Sequence, residues 1–457
     1  MIGTGSRSLV APLALAALTA CTGERAADGD GRDDSAGSGD AGFEDVGGDD
    51  SAAADAEAGD STDAGDPEGS GDDCRAGACS WAVPCAGPGC PTVEELRQVI
   101  PAENLPAGFV DQPANNNLDI ARFDGRLFVA FRTAPSHFAS AEAELVVLSS
   151  TDEVDWRFEG SFSVGRDLRE PRLVVINGQL HLFFAILGTN PAAFEPGETR
   201  HSIYLGDGQW SEHENFYGEG FIPWRARVIE GRAYLIIYRG GENIYEADGE
   251  PVEVHWLTTD DGVSWRPVAG DDPVVLRGGT SETDFALLDD GSVVAVGRNE
   301  AGDELGFGSR ICTAPADDPM DWTCAADPRK YDSPLVFRHA GQVWLVGRRN
   351  LTETGLYDVA DPSLSMRDRV LANEWAYWNA PKRCSLWRID PETRTVSFVL
   401  DLPSRGDTCF ASVEPIDDQA VLLYNYSSPI DRQDWSWVQG QQRPTHIYRM
   451  ILRFHEP

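Results

Sequence analysis

Six times between about residue 115 and its C-terminal end, the chain repeats a two-strand phrase: an apolar strand, a tight polar turn, and a second strand rich in Val, Leu, Ile, Phe and Tyr. The copies occupy 119–131, 171–185, 226–238, 285–296, 335–346 and 411–424. Turns such as Asn177-Gly178 and Asp290-Gly291 supply the positive φ angles that a tight hairpin needs. Between copies lie two further short strands, as at 201–205 and 209–212, or at 252–257 and 265–268. A period of roughly fifty residues with four strands in each predicts an all-β, six-bladed β-propeller, because a solenoid repeat would be shorter and a sandwich would not repeat. The last copy is short of a strand, since only 446–454 follows it. A strand from before the first copy, near Phe109-Val110, is expected to close the ring and cover the open edge.

The N-terminal part reads differently. Residues 1–20 hold a basic start and an apolar run too short to span a bilayer, which suits a signal peptide. The run ends Leu18-Thr19-Ala20-Cys21, which resembles the bacterial lipobox and implies that Cys21 is acylated and anchors the chain to a membrane; an ordinary signal peptide with an unpaired cysteine is the competing reading. Setting Cys21 aside leaves eight of nine cysteines, an even number suited to an oxidising compartment. Cys74, Cys79, Cys85 and Cys90 crowd one segment, where disulfides are preferred to zinc because no histidine is near. Cys312 and Cys324, and Cys384 with Cys409 on adjacent blades, are candidate staples.

Residues 21–73, almost wholly Asp, Glu, Gly, Ala and Ser, cannot bury enough apolar surface to fold and form a disordered tether. The expected order is a signal peptide (1–20), the tether (21–73), a Cys-rich segment (74–105) and the propeller (106–457). With 75 acidic against 37 basic residues, a net charge of -38, nucleic acid is excluded as a partner of the whole molecule. The expected setting is the bacterial cell envelope, at the outer membrane or cell surface, with the protein a lipid-anchored monomer.

Turn lengths sort by face. The first-to-second turns of the blades are short, whereas the second-to-third connections at 133–142, 187–200, 239–251, 299–308, 350–383 and 427–445 are long and mark the working side. Second strands ending in Arg132, Arg239, Arg298 and Arg348-Arg349 aim guanidinium groups at that side, and the innermost strands add Arg169 and Arg225. In so acidic a chain this suits a carboxylate or phosphate site, because Arg presents a rigid donor fork. Asp119, Glu170, Glu282, Asp284 and Asp332 stand at the starts of innermost strands, and two such groups flanking a bond are what glycoside hydrolysis requires. Trp375, Tyr377, Trp378, Trp435 and Trp437 in the long loops suit stacking on sugar rings or plain loop packing. No cluster of His, Asp and Glu has metal-ligand spacing, so neither metal nor cofactor is expected.

Thr258-Thr259-Asp260-Asp261-Gly262-Val263-Ser264-Trp265 matches the Asp-box of sialidase-like propellers, with a degenerate copy at 150–156. The chain thus resembles the sialidase superfamily in blade order over roughly 115–454. Glu282 and Arg298 fall at the two ends of a segment similar to the one that carries the nucleophile's partner glutamate and one arginine of the substrate-carboxylate triad, and 168–171 opens blade two in a family-like way. Other positions depart from the pattern. Asn116-Asn117-Leu118-Asp119 stands where the first triad arginine is expected, Phe410 stands where the nucleophilic tyrosine is expected, and the loop after Arg132 offers His137, Ser140 and Glu142 in place of the acid/base aspartate.

Two readings stay open. In the first, the mouth recognises an anionic carbohydrate through Arg132, Arg169, Arg225, Arg298 and Arg349, with His137, Asp284, Trp378 and Trp437. As a glycoside hydrolase it would act through Glu282 with Glu170 or Asp119, without the tyrosine mechanism. In the second, the propeller is a non-catalytic binding or interaction module on a lipid tether.

Overall fold

The computed structural model describes residues 82–240 and 250–455. The signal segment, Cys21, the acidic stretch, Cys74 and Cys79 lie outside the described residues.

Six antiparallel sheets form the blades of a propeller, each built outward from the central axis. Blade one runs Ala114–Phe123, Arg126–Ala134, Glu144–Ser150 and Arg157–Phe162. Blade two begins Asp167–Ile176, Gln179–Leu187 and Pro196–Gly206, and blade three Phe221–Ile229, Arg232–Arg239 and Val252–Thr259. Blade four comprises Thr280–Leu287, Val293–Asp303, Gly306–Ala314 and Thr323–Asp327; blade five, Leu335–His339, Gln342–Asn350, Lys382–Asp390 and Thr395–Asp401. Blade six holds Ser412–Asp417, Ala420–Ser427 and His446–Arg453. Each second strand is covered on both faces by neighbouring blades. Its middle residues are therefore mostly apolar instead of alternating, and Leu127 through Ala134 are all buried. Aromatic edges seal the blade junctions: Trp256 of blade three meets Phe285 of blade four at 4.9 Å between ring centroids.

The ring is closed by Thr92–Ile100, paired antiparallel with His446–Arg453, and not by the stretch near Phe109-Val110. The reason is visible in burial. Val99 and Ile100 are 3% and 1% exposed and join the core, whereas Val110 is 83% exposed. The rest of that strand is mostly polar because it forms the outer edge, with Leu96 exposed and Val93 only partly buried, so it carries little of the apolar pattern that marks the inner strands. Blade four also departs from the expected long connection at 299–308: its second strand continues to Asp303 and the third resumes at Gly306. Blade five's long connection contains a helix, Met366–Trp378, capped by Ser365, whose side chain accepts from the Asp368 N–H.

Cys85 pairs with Cys90, Cys312 with its cross-strand neighbour Cys324 in blade four, and Cys384 of blade five with Cys409 at the start of blade six. On the face opposite the long loops, the Asp261 carboxylate accepts from the N–H groups of Val263 (2.8 Å) and Ser264 (2.7 Å). Asp152 closes the equivalent turn of blade one through Val154 and Asp155.

Candidate functional site

At the long-loop end of the axis, the innermost strands share a backbone irregularity. The ladder slips between Asn116 and Leu118 in blade one, Arg169 and Arg172 in blade two, Pro223 and Arg225 in blade three, and Thr280 and Thr283 in blade four. Asn117 and Glu170 sit in the left-handed region at these bulges, and Ser333 and Cys409 do so just ahead of blades five and six. A bulge re-aims a side chain, and non-glycine residues hold such angles only where their surroundings fix them. Here Asn117, Glu170, Glu282, Ser333 and Phe410 line one cavity of about 210 Å³.

Three arginines line the same cavity: Arg169, Arg298 and Arg348, from blades two, four and five. Each is oriented by carboxylates. Arg169 Nε donates to Asp167 (2.6 Å) and its Nη2 to the His137 carbonyl (2.6 Å). Arg298 Nη1 lies 2.9 Å from Glu282 and 3.3 Å from Glu300. Arg348 donates to Asp332 (2.8 Å) and to the Thr408 carbonyl (2.7 Å), and its guanidinium sits 5.0 Å from the Trp437 ring centroid. Asp332 in turn accepts from Tyr377 OH at 2.7 Å. Burial pushes the Asp332 carboxyl up, but Lys330, Arg348 and Arg298 outweigh it and hold the group down at about 2. Trp378 and Trp437 complete the cavity wall.

The two cavity carboxyls differ in setting. Glu282 accepts the Ser333 N–H at 2.8 Å. Burial pushes it up to about 7 against the pull of Arg298, with Asp332 and Glu170 adding to the rise. Glu170 accepts from Asn117 Nδ2 at 3.0 Å. A group half-protonated near neutrality beside a second carboxyl and three guanidiniums can deliver a proton to a bound oxygen.

His137 lines the cavity from the loop after Arg132. Its Nδ1 is 2.6 Å from Asp407 Oδ2, and Asp407 Oδ1 accepts from Tyr426 OH at 2.9 Å. Burial lowers the His137 pKa below its ordinary value, opposed by Asp407, while Arg169 and Arg132 depress it further. Burial alone would raise Asp407, but His137, Arg348 and the Tyr426 hydroxyl hold it below the usual carboxylate range.

The structure thus brings Glu282, Glu170, Arg169, Arg298, His137, Trp378 and Trp437 together. It places five other candidates elsewhere. Asp119 lines a second cavity together with Arg225 and Arg227, accepting from Leu173 N–H (2.9 Å) and Ser412 Oγ (2.5 Å). Asp284 is held by Arg227 and by the Val336 N–H (2.6 Å). Arg225 spends its donors on the carbonyls of Pro334 and Ala411. Arg132 is wholly buried behind the loop, donating to Asp167 (2.8 Å) and to the carbonyls of Ser136 and Phe138 (3.0 and 2.9 Å). Arg349 points away from the axis onto Asp401 (2.9 Å). Four of these residues tie blade to blade or loop to blade, and Arg349 ties two strands of blade five.

Sequence reasoning missed Asp407 and Tyr426, which no motif flags. It also missed Arg172, fully buried between the Trp224 and Phe410 rings with its nearest carboxylate, Glu170, at 3.8 Å. Among the described residues no group of His, Cys, Asp and Glu is arranged to hold a metal ion, and no helix is long and apolar enough to cross a membrane.

No family model matches the chain, and no curated protein matches it by sequence. Solved structures do. A protein of unknown function from Dyadobacter fermentans aligns over 80% of this chain and 100% of its own, with 16% identity and a TM-score of 0.54. A mutant of Trypanosoma rangeli sialidase displaying trans-sialidase activity aligns over 81% of this chain and 60% of its own, with 12% identity and a TM-score of 0.50. The T. rangeli sialidase in complex with 2,3-difluoro-KDN gives 79% and 58%, 12% identity and 0.50. The chain therefore spans about 60% of the length of these sialidases. What it shares with them is the fold: a sialidase-like six-bladed β-propeller.

Proposed function

We propose that the cavity binds a carbohydrate carrying an anionic group. Arg169, Arg298 and Arg348 grip the anion, Trp378 and Trp437 stack on the sugar, and Glu282 delivers a proton to the glycosidic oxygen in a hydrolysis that needs no tyrosine nucleophile. The observation that carries this reading is the convergence of three guanidiniums from three blades with two carboxyls in one cavity of a strongly acidic chain. That the T. rangeli sialidase sharing this fold is in complex with 2,3-difluoro-KDN supports a carbohydrate as the ligand.

One feature favours a second reading, a binding module without turnover: the cavity wall presents Phe410, which has no hydroxyl to attack an anomeric carbon. A glycan array run beside a panel of aryl glycosides separates the two. Release of the aryl group supports the hydrolase, and glycan binding without release supports the module. An array on which no anionic glycan binds overturns both. In either reading Cys21 carries the lipid that holds the propeller at the bacterial cell envelope. Loss of fatty-acid labelling in Cys21→Ala tests that anchor, and labelling retained in the variant refutes it.

A further inference from the structure

His137 stands in the cavity wall with one ring nitrogen already committed. Asp407 is fully buried and ionised, so the 2.6 Å contact to His137 Nδ1 places the hydrogen on that nitrogen and leaves Nε2 as a bare acceptor. The loop around it is fixed independently. The His137 N–H donates to the Gln441 carbonyl (3.0 Å), its own carbonyl accepts from Arg169, and Arg132 holds the carbonyls of Ser136 and Phe138 on either side. The loop therefore does not need the ring contact to keep its shape. What Asp407 adds is one tautomer and one ring orientation, the relation of orienter to base in hydrolytic triads. The groups facing the ring are Asp407, Arg169, Arg132 and Tyr426, whose ring centroid is 6.0 Å away. His137 belongs to blade one and Glu282 to blade four, which stand opposite each other in a ring of six, so the two flank whatever occupies the cavity between them.

We infer that His137, held by the positioning residue Asp407, is the general base of the cavity and works opposite Glu282 in a single-displacement cleavage of the anionic glycoside. This rests on the carbohydrate reading above. His137 Nε2 takes a proton from a water molecule as the water oxygen forms a bond to the anomeric carbon. The bond from that carbon to the leaving oxygen breaks, its electron pair stays on the oxygen, and the oxygen takes the Glu282 proton. Anomeric configuration is inverted, and Phe410 in the wall is then no obstacle, because no protein nucleophile takes part.

The test uses the full chain and aryl glycosides of sialic acid and of hexuronic acids. The first-formed sugar, followed by proton NMR, should be the inverted anomer. His137→Ala should lower kcat about 100-fold or more with KM little changed, and added imidazole should restore part of the loss. Asp407→Asn should lower kcat and shift the acidic limb of the pH profile, with the fold intact by circular dichroism. His137→Gln should stay inactive at full stability. A retained anomer, a folded His137→Ala protein with unchanged kcat or without imidazole rescue, or a wild type that binds anionic glycans but cleaves none of these substrates overturns the inference while leaving the binding site standing. Failure to bind any anionic glycan strikes the carbohydrate reading itself.

Discussion

Glu282→Gln should make the propeller progressively more stable than wild type as pH rises from about 4.5 to about 7. In the folded protein the Glu282 carboxyl gives up its proton near 7, against 4.5 for the ordinary group. Below the lower value both folded and unfolded chains are protonated, so wild type carries no penalty. Between the two values the unfolded chain ionises while the folded one stays protonated, and above the higher value the cost of a buried carboxylate is fully expressed. At about 1.4 kcal/mol for each pH unit of separation, the penalty reaches about 3.5 kcal/mol. Glutamine never ionises and escapes it. The substitution also rearranges the contacts to Arg298 (2.9 Å) and to the Ser333 N–H (2.8 Å), and Arg298 keeps Glu300 at 3.3 Å. Those changes shift the stability difference by a nearly constant amount and leave its slope with pH untouched. Urea unfolding followed by tryptophan fluorescence, for both proteins from about pH 4 to about pH 8, reads the difference directly. A difference that stays flat across that range would mean that Glu282 ionises as it does in an unfolded chain, and would remove it as a proton donor at neutral pH.

Four other substitutions separate scaffold from site. Arg132→Ala leaves Asp167 as a buried charge supported by Arg169 alone, and should cost about 3–5 kcal/mol in urea unfolding; a loss under about 1 kcal/mol would refute the scaffold role. Arg348→Ala should abolish binding of anionic glycans on an array with the fold intact, because Asp332 keeps Lys330 (3.4 Å) and Tyr377 (2.7 Å). Arg349→Ala should do the reverse, lowering stability by about 1–3 kcal/mol through loss of Asp401 while glycan binding is unchanged. Replacing Cys312 and Cys324 by alanine frees a link across 12 residues and should lower unfolding free energy by about 3 kcal/mol under oxidising conditions, with no difference from wild type once both are reduced.

Blade number and blade order were legible in the sequence because hairpins are local. An apolar strand, an Asn-Gly or Asp-Gly turn and a second apolar strand sit within about fifteen residues of one another, and both period and turn chemistry survive in the bare string. The closing strand was not legible at its true place. Thr92–Ile100 pairs with His446–Arg453, more than three hundred residues away in sequence, and as an outer edge it buries only Val99 and Ile100 fully, with Val93 packed partly buried against the core. The helix Met366–Trp378 was hidden for a related reason: it buries Val370, Asn373, Glu374 and Tyr377, two of them charged or polar, so no apolar stripe announces it.

The site was legible as an end of the molecule but not as a set of side chains, and the cause is parity. Adjacent residues on a strand face opposite ways, so a one-residue difference decides whether a guanidinium meets the cavity or turns back into the body of the blade. Arg348 and Arg349 are indistinguishable as letters, yet Arg348 lines the cavity and Arg349 turns to Asp401. In blade three it is Tyr238 that lines the cavity while Arg239 is exposed. The bulges add a second shift on the innermost strands, which is why Glu170 reaches the cavity and Asp119, expected at the same level, lies outside it between Ser412 and Leu173. A repeat pattern fixes which strand ends gather at the mouth. Only the register of each ladder, set by packing against the next blade, fixes which side chain each strand end presents there. The same limit hid the His137–Asp407 pair, whose two residues are 270 positions apart in the chain and meet only because blade six closes against blade one.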